Sequence, residues 1–202
     1  IGKNTAASIL ISCFANKDSE SYMLVMPSDH YIPNTNYFYN SVKSSFKSMD
    51  DYNVMTFGVV PKYTSSQYGY IQITNDSNIS SVKSFHEKPN LSTAKKMIDS
   101  GDYLWNSGMF LFKVTKLLDI VKEINLDLFN NLYQISQEAI HKPNEIQITS
   151  KLWRDLDNVS FDVAVMENIK KIGCYRYTGY WTDLGDWKSI ADNSSSDLLI
   201  ES

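Results

Sequence analysis

The segment that most constrains the architecture is Tyr22-Met23-Leu24-Val25-Met26-Pro27-Ser28-Asp29-His30. Its apolar half predicts a short buried strand, which ends at Pro27 because proline cannot donate to a strand ladder. Open α/β sheets bind ligands just beyond the carboxyl ends of their strands, which is where Asp29 falls. Asp29 is therefore a candidate ligand-binding carboxylate; the alternative is that it only caps the next turn.

Helical and strand-like patterns alternate around this segment. Apolar residues without a breaker predict a helix from Asn4 to Phe14, and Phe38, Val42 and Phe46 recur at helical spacing. A strand-like run, residues 53–60, follows them. Helices that alternate with strands are typical of a parallel sheet with helical crossovers, so the fold class is predicted to be α/β.

The middle of the sequence predicts a hairpin, a helix and a strand in turn. Alternating residues between Tyr70 and Phe85 flank the turn-rich residues 75–78, which favours a hairpin. Ser92 is predicted to cap a helix that Gly101 ends. An apolar run from Leu104 to Phe112 predicts the next strand.

The last third is predicted to be mostly helical, with one further strand. A helical region after Val114 is expected to cover one side of the sheet. Asp162 is predicted to cap a short helix, residues 172–177 to form a strand, and Asp186 to open a last helix.

Composition limits the classes of partner. The 202 residues predict one partial domain over residues 1–192 and a polar tail over 193–202. A net charge of -4 without a basic stripe argues against nucleic acid as a partner. No apolar run approaches the ~20 residues that span a bilayer, so no membrane association is expected. Cys13 and Cys174 lie in apolar or aromatic surroundings, which indicates free thiols in a cytoplasmic protein.

A second acid occurs in the segment Trp181-Thr182-Asp183-Leu184-Gly185-Asp186-Trp187. Asp29 and Asp183 both follow predicted strands, and Mg²⁺ typically binds one or two carboxylates together with substrate phosphates. The alternative is a helix cap at Asp186. His30 has no second histidine or cysteine at metal spacing, so it is predicted to be a hydrogen-bonded structural imidazole.

An acid and a base stand side by side in Phe85-His86-Glu87-Lys88-Pro89. Neighbours on a strand point in opposite directions, so an ion pair between Glu87 and Lys88 is not expected. A carboxylate can accept hydrogen bonds from sugar hydroxyls, and an ammonium group can contact a phosphate. The alternative is a solvated strand end.

Polar residues also interrupt the apolar run Tyr103-Leu104-Trp105-Asn106-Ser107-Gly108-Met109-Phe110. A bulge at Asn106 could bind ligand hydroxyls, or it could satisfy its amide internally. Gly69 would permit close approach of a ligand to the backbone, although glycine at the start of a strand is common.

Seven segments in this order resemble the bacterial mannose-1-phosphate guanylyltransferase family: residues 4–7, 27–30, 68–71, 85–89, 105–110, 161–167 and 181–185. The resemblance spans nearly the whole chain, and Trp105-Asn106-Ser107-Gly108-Met109-Phe110 is its most specific segment. It implies a nucleotidyltransferase fold, which has a Rossmann-like mixed, mainly parallel sheet with helices on both faces. It also implies transfer of GMP from GTP to mannose 1-phosphate.

The resemblance further implies roles for the residues at the reacting phosphates. Asp29 and Asp183 would hold Mg²⁺, and Lys88 would contact the sugar phosphate. These three residues would form the catalytic set. The oligomeric state, including a homodimer, stays open.

The remaining roles concern the hexose and the nucleotide. By resemblance, Glu87 and Asn106 would bind the hexose, Gly69 would contact the sugar through its backbone, and Asn4 would lie near the nucleotide.

The sequence departs from the family pattern in two respects. Family members begin with a strand and a glycine-rich loop containing an arginine, and this sequence starts after that loop. Because distant side chains cannot replace a backbone phosphate cradle, we expect the 202 residues alone to bind sugar phosphate weakly and to catalyse no transfer. Ser65 and Gln67 also stand where the family usually has an acid and a glycine.

Two alternative functions remain open at this stage. One is a non-catalytic remnant that binds sugar phosphate. The other is a nucleotidyltransferase for a different hexose 1-phosphate, such as glucose 1-phosphate.

Overall fold

The computed structural model describes residues 2–17, 20–142 and 145–184. The predicted helix at Asp186 and the predicted polar tail, residues 193–202, lie outside the described residues, as does Gly185.

Helices in the described residues follow the predicted order. They are α1 (Thr5–Ala15), α2 (Thr35–Phe46), α3 (Leu91–Ser100), α4 (Val114–Ile124), α5 (Leu126–Glu138) and α6 (Phe161–Ala164), with short 3₁₀ turns at Lys151–Arg154 and Met166–Asn168.

Strands alternate with these helices as expected. They are β1 (Tyr22–Val25), β2 (His30–Tyr31), β3 (Val54–Val59), β4 (Tyr70–Ile73), β5 (Ile79–His86), β6 (Tyr103–Lys113), β7 (Ile140–Lys142), β8 (Glu145–Gln147), β9 (Ile172–Tyr177) and β10 (Thr182–Asp183). The predicted hairpin is the pair β4 and β5.

A six-stranded mixed sheet forms the centre of the molecule, in the order β1-β6-β3-β9-β5-β4. The prediction of a mixed α/β sheet is confirmed, but the expectation that it is mainly parallel is wrong. Among the described strands only β3 and β9 pair in parallel. The reason is the long strand β6, which runs antiparallel to both β1 and β3 and so separates strands that point the same way.

Helices cover both faces of the sheet, as predicted. On β6, Phe110 and Phe112 pack with α1, α4, α5 and α6. Their neighbours Met109 and Leu111 point to the other face and pack with α2 and α3. Because successive side chains of a strand alternate between faces, β6 contributes to both layers of the core.

Two predicted helix caps are wrong. Asn90, not Ser92, caps α3, and its side-chain oxygen accepts the Thr93 backbone N–H at 2.9 Å. Ser160, not Asp162, caps α6, with the Val163 N–H at 3.3 Å from its hydroxyl oxygen. Asn and Ser both compete well for the cap position, and sequence alone does not decide which neighbouring polar residue takes it.

Close packing in the sheet interior gives a first prediction. A methyl group at Gly58 would lie 2.6 Å from Leu104 Cδ1 and 2.7 Å from Cys174 Sγ. Gly58→Ala should therefore lower the free energy of unfolding by about 1–3 kcal/mol, measured by denaturant titration. Gly2→Ala is the control, since no heavy atom lies within 4 Å of its added methyl group. Equal stability of the two variants would show that these strands separate without cost.

Candidate active site

The two acids predicted to share a cation lie on neighbouring strands. Strands β2 and β10 pair antiparallel, with Asp183 opposite His30. The Leu184 backbone N–H donates to the Asp29 carbonyl oxygen at 2.7 Å. Asp29 is exposed and Asp183 is half-buried. The pairing thus brings the backbones of the two acids close together from distant parts of the sequence.

His30 is a structural imidazole, as predicted. Its Nδ1 atom accepts the Trp181 indole N–H at 3.1 Å, and the two rings pack edge to face with centroids 5.0 Å apart. Burial lowers the pKa of His30, and the nearby charges of Asp29 and Asp183 oppose that shift. In the neutral ring, Nδ1 can accept the hydrogen bond from the indole N–H while Nε2 carries the ring hydrogen.

The Tyr68 hydroxyl contacts the same acid pair. It donates to Asp183 Oδ1 at 2.7 Å. Tyr68 is only 8% exposed, and burial together with the bond to Asp183 raises its pKa. The hydroxyl therefore stays protonated and acts as a donor to Asp183.

A narrow cleft, one residue along the chain from Tyr68, brings together three residues predicted to bind sugar, namely Gly69, Glu87 and Asn106. Its lining comprises Gly69, Tyr70, Phe85, His86, Glu87, Asn106, Asp162 and Glu167. A side chain at Gly69 would begin 3.3 Å from Glu87 Oε2 and 3.4 Å from Asn106 Cβ. A methyl group at this position would therefore be tight against Glu87 and Asn106 and would narrow the cleft further.

Lys88 follows Glu87, which lines the cleft, and the two side chains form an ion pair at 3.7 Å. The expectation that these neighbours do not pair is wrong. Strand β5 ends at His86, and Lys88 has a left-handed backbone with φ of 36°. Because the chain has left the strand, the alternation of side chains no longer applies. A left-handed lysine is uncommon, and such backbone strain concentrates at functional sites.

Asn106 has a defined orientation in the cleft. Its Nδ2 donates to Asp162 Oδ1 at 2.7 Å, and its Oδ1 accepts the Gly108 N–H at 3.1 Å. Its backbone N–H donates to the Gly69 carbonyl at 2.8 Å. The amide oxygen is thus engaged internally, and the second N–H of Nδ2 is available for a ligand.

Asn4 lies at the start of α1, where its side chain accepts the Thr5 backbone N–H at 2.8 Å. The Thr5 hydroxyl oxygen in turn accepts the Phe161 N–H at 2.9 Å. Asn4 is therefore a helix cap placed close to the segment that carries Asp162. No ligand contact of Asn4 follows from these bonds.

Sequence reasoning missed Asp162, Glu167 and Tyr68 as site residues. The sequence predicts a cap at Asp162, but Ser160 takes that role and leaves Asp162 directed at Asn106. Burial raises the pKa of Asp162, Asn106 opposes this, and the charges of Glu87 and Glu167 add to the rise. The sequence did offer one signal: Ser160, two positions before Asp162, is itself a good cap residue, so the Asp162 side chain was not needed as the cap.

Within the described residues no group of three or more histidine, cysteine, aspartate or glutamate side chains could hold a metal ion. No helix among these residues is long and apolar enough to cross a membrane. Any cation at Asp29 and Asp183 would therefore need further oxygen ligands from a substrate or from water.

A mixed sheet with helices on both faces and polar groups gathered at its strand ends defines a protein of the α/β class, whose members typically bind ligands at the ends of strands. More narrowly, the chain belongs to the Nucleotidyl transferase family, whose model matches residues 1–198. This confirms the predicted fold class.

Individual relatives agree with the family resemblance. Mannose-1-phosphate guanylyltransferase from Escherichia coli is 32% identical over 206 residues, covering 97% of this chain and 44% of the relative. The chain thus spans less than half the length of that relative. Mannose-6-phosphate isomerase from Helicobacter pylori is 29% identical, with a TM-score of 0.82 and coverage of 91% of this chain and 72% of that structure. Mannose-1-phosphate geranyltransferase from Thermus thermophilus is 23% identical and supports the fold alone, with a TM-score of 0.83 and coverage of 98% and 57%.

Replacement of the missed acid gives a second prediction. Asp162→Asn keeps an acceptor for Asn106 but removes a buried charge. Because the folded-state pKa is raised, the ionised carboxylate destabilises the fold at high pH. The variant should therefore melt no lower than the wild type at about pH 7.5, and the difference should shrink as the pH falls toward about 4, because a carboxyl group with a raised pKa takes up its proton earlier than a free one.

Thermal unfolding at both pH values checks this expectation. Asp50→Asn is the control, since Asp50 is exposed. A clearly lower melting temperature for Asp162→Asn near neutral pH would show that the charge stabilises the fold.

Proposed function

We propose that the protein containing this chain transfers GMP from GTP to mannose 1-phosphate, giving GDP-mannose and pyrophosphate. The observation that carries the proposal is the pairing of β2 with β10, which brings Asp29, just before β2, close to Asp183 in β10, together with the cleft lined by Gly69, Glu87 and Asn106. Relatives named mannose-1-phosphate guanylyltransferase, 30–32% identical over almost the whole chain, support the choice of substrates.

The acid pair suits a magnesium ion. Two neighbouring carboxylates supply hard oxygen ligands and leave positions for phosphate oxygens and water, as Mg²⁺ prefers. When bound, the ion would neutralise charge on the phosphates of GTP and of the sugar phosphate. In this proposal Asp29 and Asp183 hold the ion, and Asn4 lies near the nucleotide.

The cleft would bind the mannose end of the substrate. Glu87 offers carboxylate oxygens to the sugar hydroxyls, and Asn106 offers the remaining N–H of its amide. Gly69 lets the sugar approach the backbone. Lys88, next to Glu87, would exchange its contact with that acid for the phosphate.

The reaction then needs little covalent chemistry from the protein. An oxygen of the sugar phosphate attacks the α-phosphorus of GTP, forming one P–O bond, while the bond from the α-phosphorus to the bridging oxygen breaks and pyrophosphate leaves with that electron pair. The nucleophile is already an anion, so no general base is required. Lys88 and the acid pair contribute by positioning two polyanions and balancing their charge.

Removal of one acid gives a third prediction. In the intact parent protein, Asp183→Ala should lower the rate of GDP-mannose formation at least about a hundredfold, which corresponds to roughly 3 kcal/mol of transition-state stabilisation. Asp50→Ala, an exposed acid outside both sites, is the matched control. Full activity of Asp183→Ala would remove the proposed mechanism.

A fourth prediction separates binding from transfer. Calorimetry of the 202-residue protein with mannose 1-phosphate should show weak binding, reduced about tenfold or more in Lys88→Ala because an ammonium–phosphate contact is lost. Binding without turnover in the intact parent would favour the sugar-phosphate-binding remnant. No heat at about millimolar ligand would exclude sugar-phosphate binding by these residues.

The choice of nucleotide and hexose is tested by direct comparison. The intact parent should use GTP with mannose 1-phosphate faster than ATP, UTP or dTTP, and faster than any of them with glucose 1-phosphate. Preference for UTP or dTTP with glucose 1-phosphate would instead support the alternative function, a nucleotidyltransferase for glucose 1-phosphate.

A further inference from the structure

Tyr68 connects the acid pair to the cleft. Its hydroxyl donates to Asp183 Oδ1 at 2.7 Å, and the next residue, Gly69, lines the cleft and accepts the Asn106 backbone N–H. The sequence pattern drew attention to Gly69 alone. The side chain of Tyr68 lies against the acid pair, and the backbone of its neighbour lies against the sugar site.

The Tyr68 ring has little freedom to move. Its centroid lies 4.9 Å from that of Trp105 and 5.3 Å from that of Trp181. Only 8% of the residue is exposed. Because two large rings flank it, the hydroxyl remains directed at Asp183, and the bond costs little conformational entropy.

The contact constrains the carboxylate as well. Strand β10 fixes the Asp183 backbone opposite His30, but it does not fix rotation of the carboxylate about its own side-chain bonds. A donor on Oδ1 selects one orientation and leaves Oδ2 free of the tyrosine. Hydrogen bonds of this kind orient metal-binding carboxylates, and their loss typically costs about 10–100-fold in metal affinity or activity.

We propose that Tyr68 is a positioning residue that orients Asp183 for the divalent cation. This inference rests on the proposed function, since it presumes that Asp183 binds the cation. Tyr68 acts on the cation through Asp183, and the hexose is bound by other residues. Its loss should therefore weaken binding of the cation and spare binding of mannose 1-phosphate.

Tyr68→Phe tests this role, with Tyr37→Phe as the matched control. Tyr37 packs in the same core cluster as Tyr68 but does not line the cleft, and its hydroxyl forms a hydrogen bond with the Thr178 hydroxyl at 2.7 Å rather than with an acid. Both variants lose one hydrogen-bonded hydroxyl, so any general cost to the fold is shared. The contact with Asp183 is lost only in the first.

Mn²⁺ serves as the probe, titrated into the 202-residue protein and followed by electron paramagnetic resonance. Tyr68→Phe should raise the Mn²⁺ dissociation constant about tenfold or more, while Tyr37→Phe stays within about twofold of the wild type. Mannose 1-phosphate affinity, measured by calorimetry, should be unchanged within about twofold in both variants. In the intact parent, the Mg²⁺ concentration for half-maximal rate should rise in Tyr68→Phe.

Asp183→Ala distinguishes the two levels of the proposal. If Asp183→Ala weakens Mn²⁺ binding but Tyr68→Phe does not, the positioning role is overturned and the acid pair stands. If Asp183→Ala leaves Mn²⁺ binding unchanged, the acid pair and the positioning role both fail. Equal loss of Mn²⁺ and mannose 1-phosphate affinity in Tyr68→Phe would indicate a purely structural role and also overturn the proposal.

Discussion

A two-residue antiparallel ladder between β2 and β10 places the proposed chemistry. Its register sets Asp183 opposite His30, and the bond from the Leu184 N–H to the Asp29 carbonyl extends it by one step. Such a short ladder is weak by itself. The buried bond and ring contact between Trp181 and His30 support it, so side chains stabilise a pairing that few backbone bonds maintain. In this register Asp183 and His30 lie on the same side of the ladder and Leu184 lies opposite Asp29, and a slip by one residue would replace these pairs.

The sequence predicted those parts of the site that depend on strand ends. Asp29 lies between β1 and β2, Asp183 ends β10, and the pairing of β2 with β10 brings their backbones close together. The sequence did not predict the roles of Asp162 and Tyr68, because each depends on a partner far away in the chain. Only the folded sheet shows that Asn106 lies within reach of Asp162, or that Asp183 lies within reach of Tyr68.

The wrong prediction of a mainly parallel sheet has a similar cause. Helix and strand order along the sequence was read correctly, but order does not reveal which strands become neighbours. The antiparallel strand β6 lies between β1 and β3, although it follows both in sequence. The local break at Lys88 was also not predictable. A glycine would have indicated a left-handed backbone at this position, whereas a lysine gives no such indication.

The charged side chains of the candidate site differ between its two parts, with acids at the cleft proposed for the sugar and a lysine toward the proposed phosphate position. Glu87, Asp162 and Glu167 surround the cleft, where the hexose would offer only neutral hydroxyl groups, and a carboxylate is a good acceptor for these. The same acids would repel a phosphate. In the proposed complex the phosphate would therefore lie toward Lys88 and toward a cation at Asp29 and Asp183, which would offset its charge. The distribution of charge, with three acids lining the cleft and a lysine next to Glu87, thus favours one direction of binding for the proposed substrate, with the sugar inside and the reacting phosphate toward the acid pair.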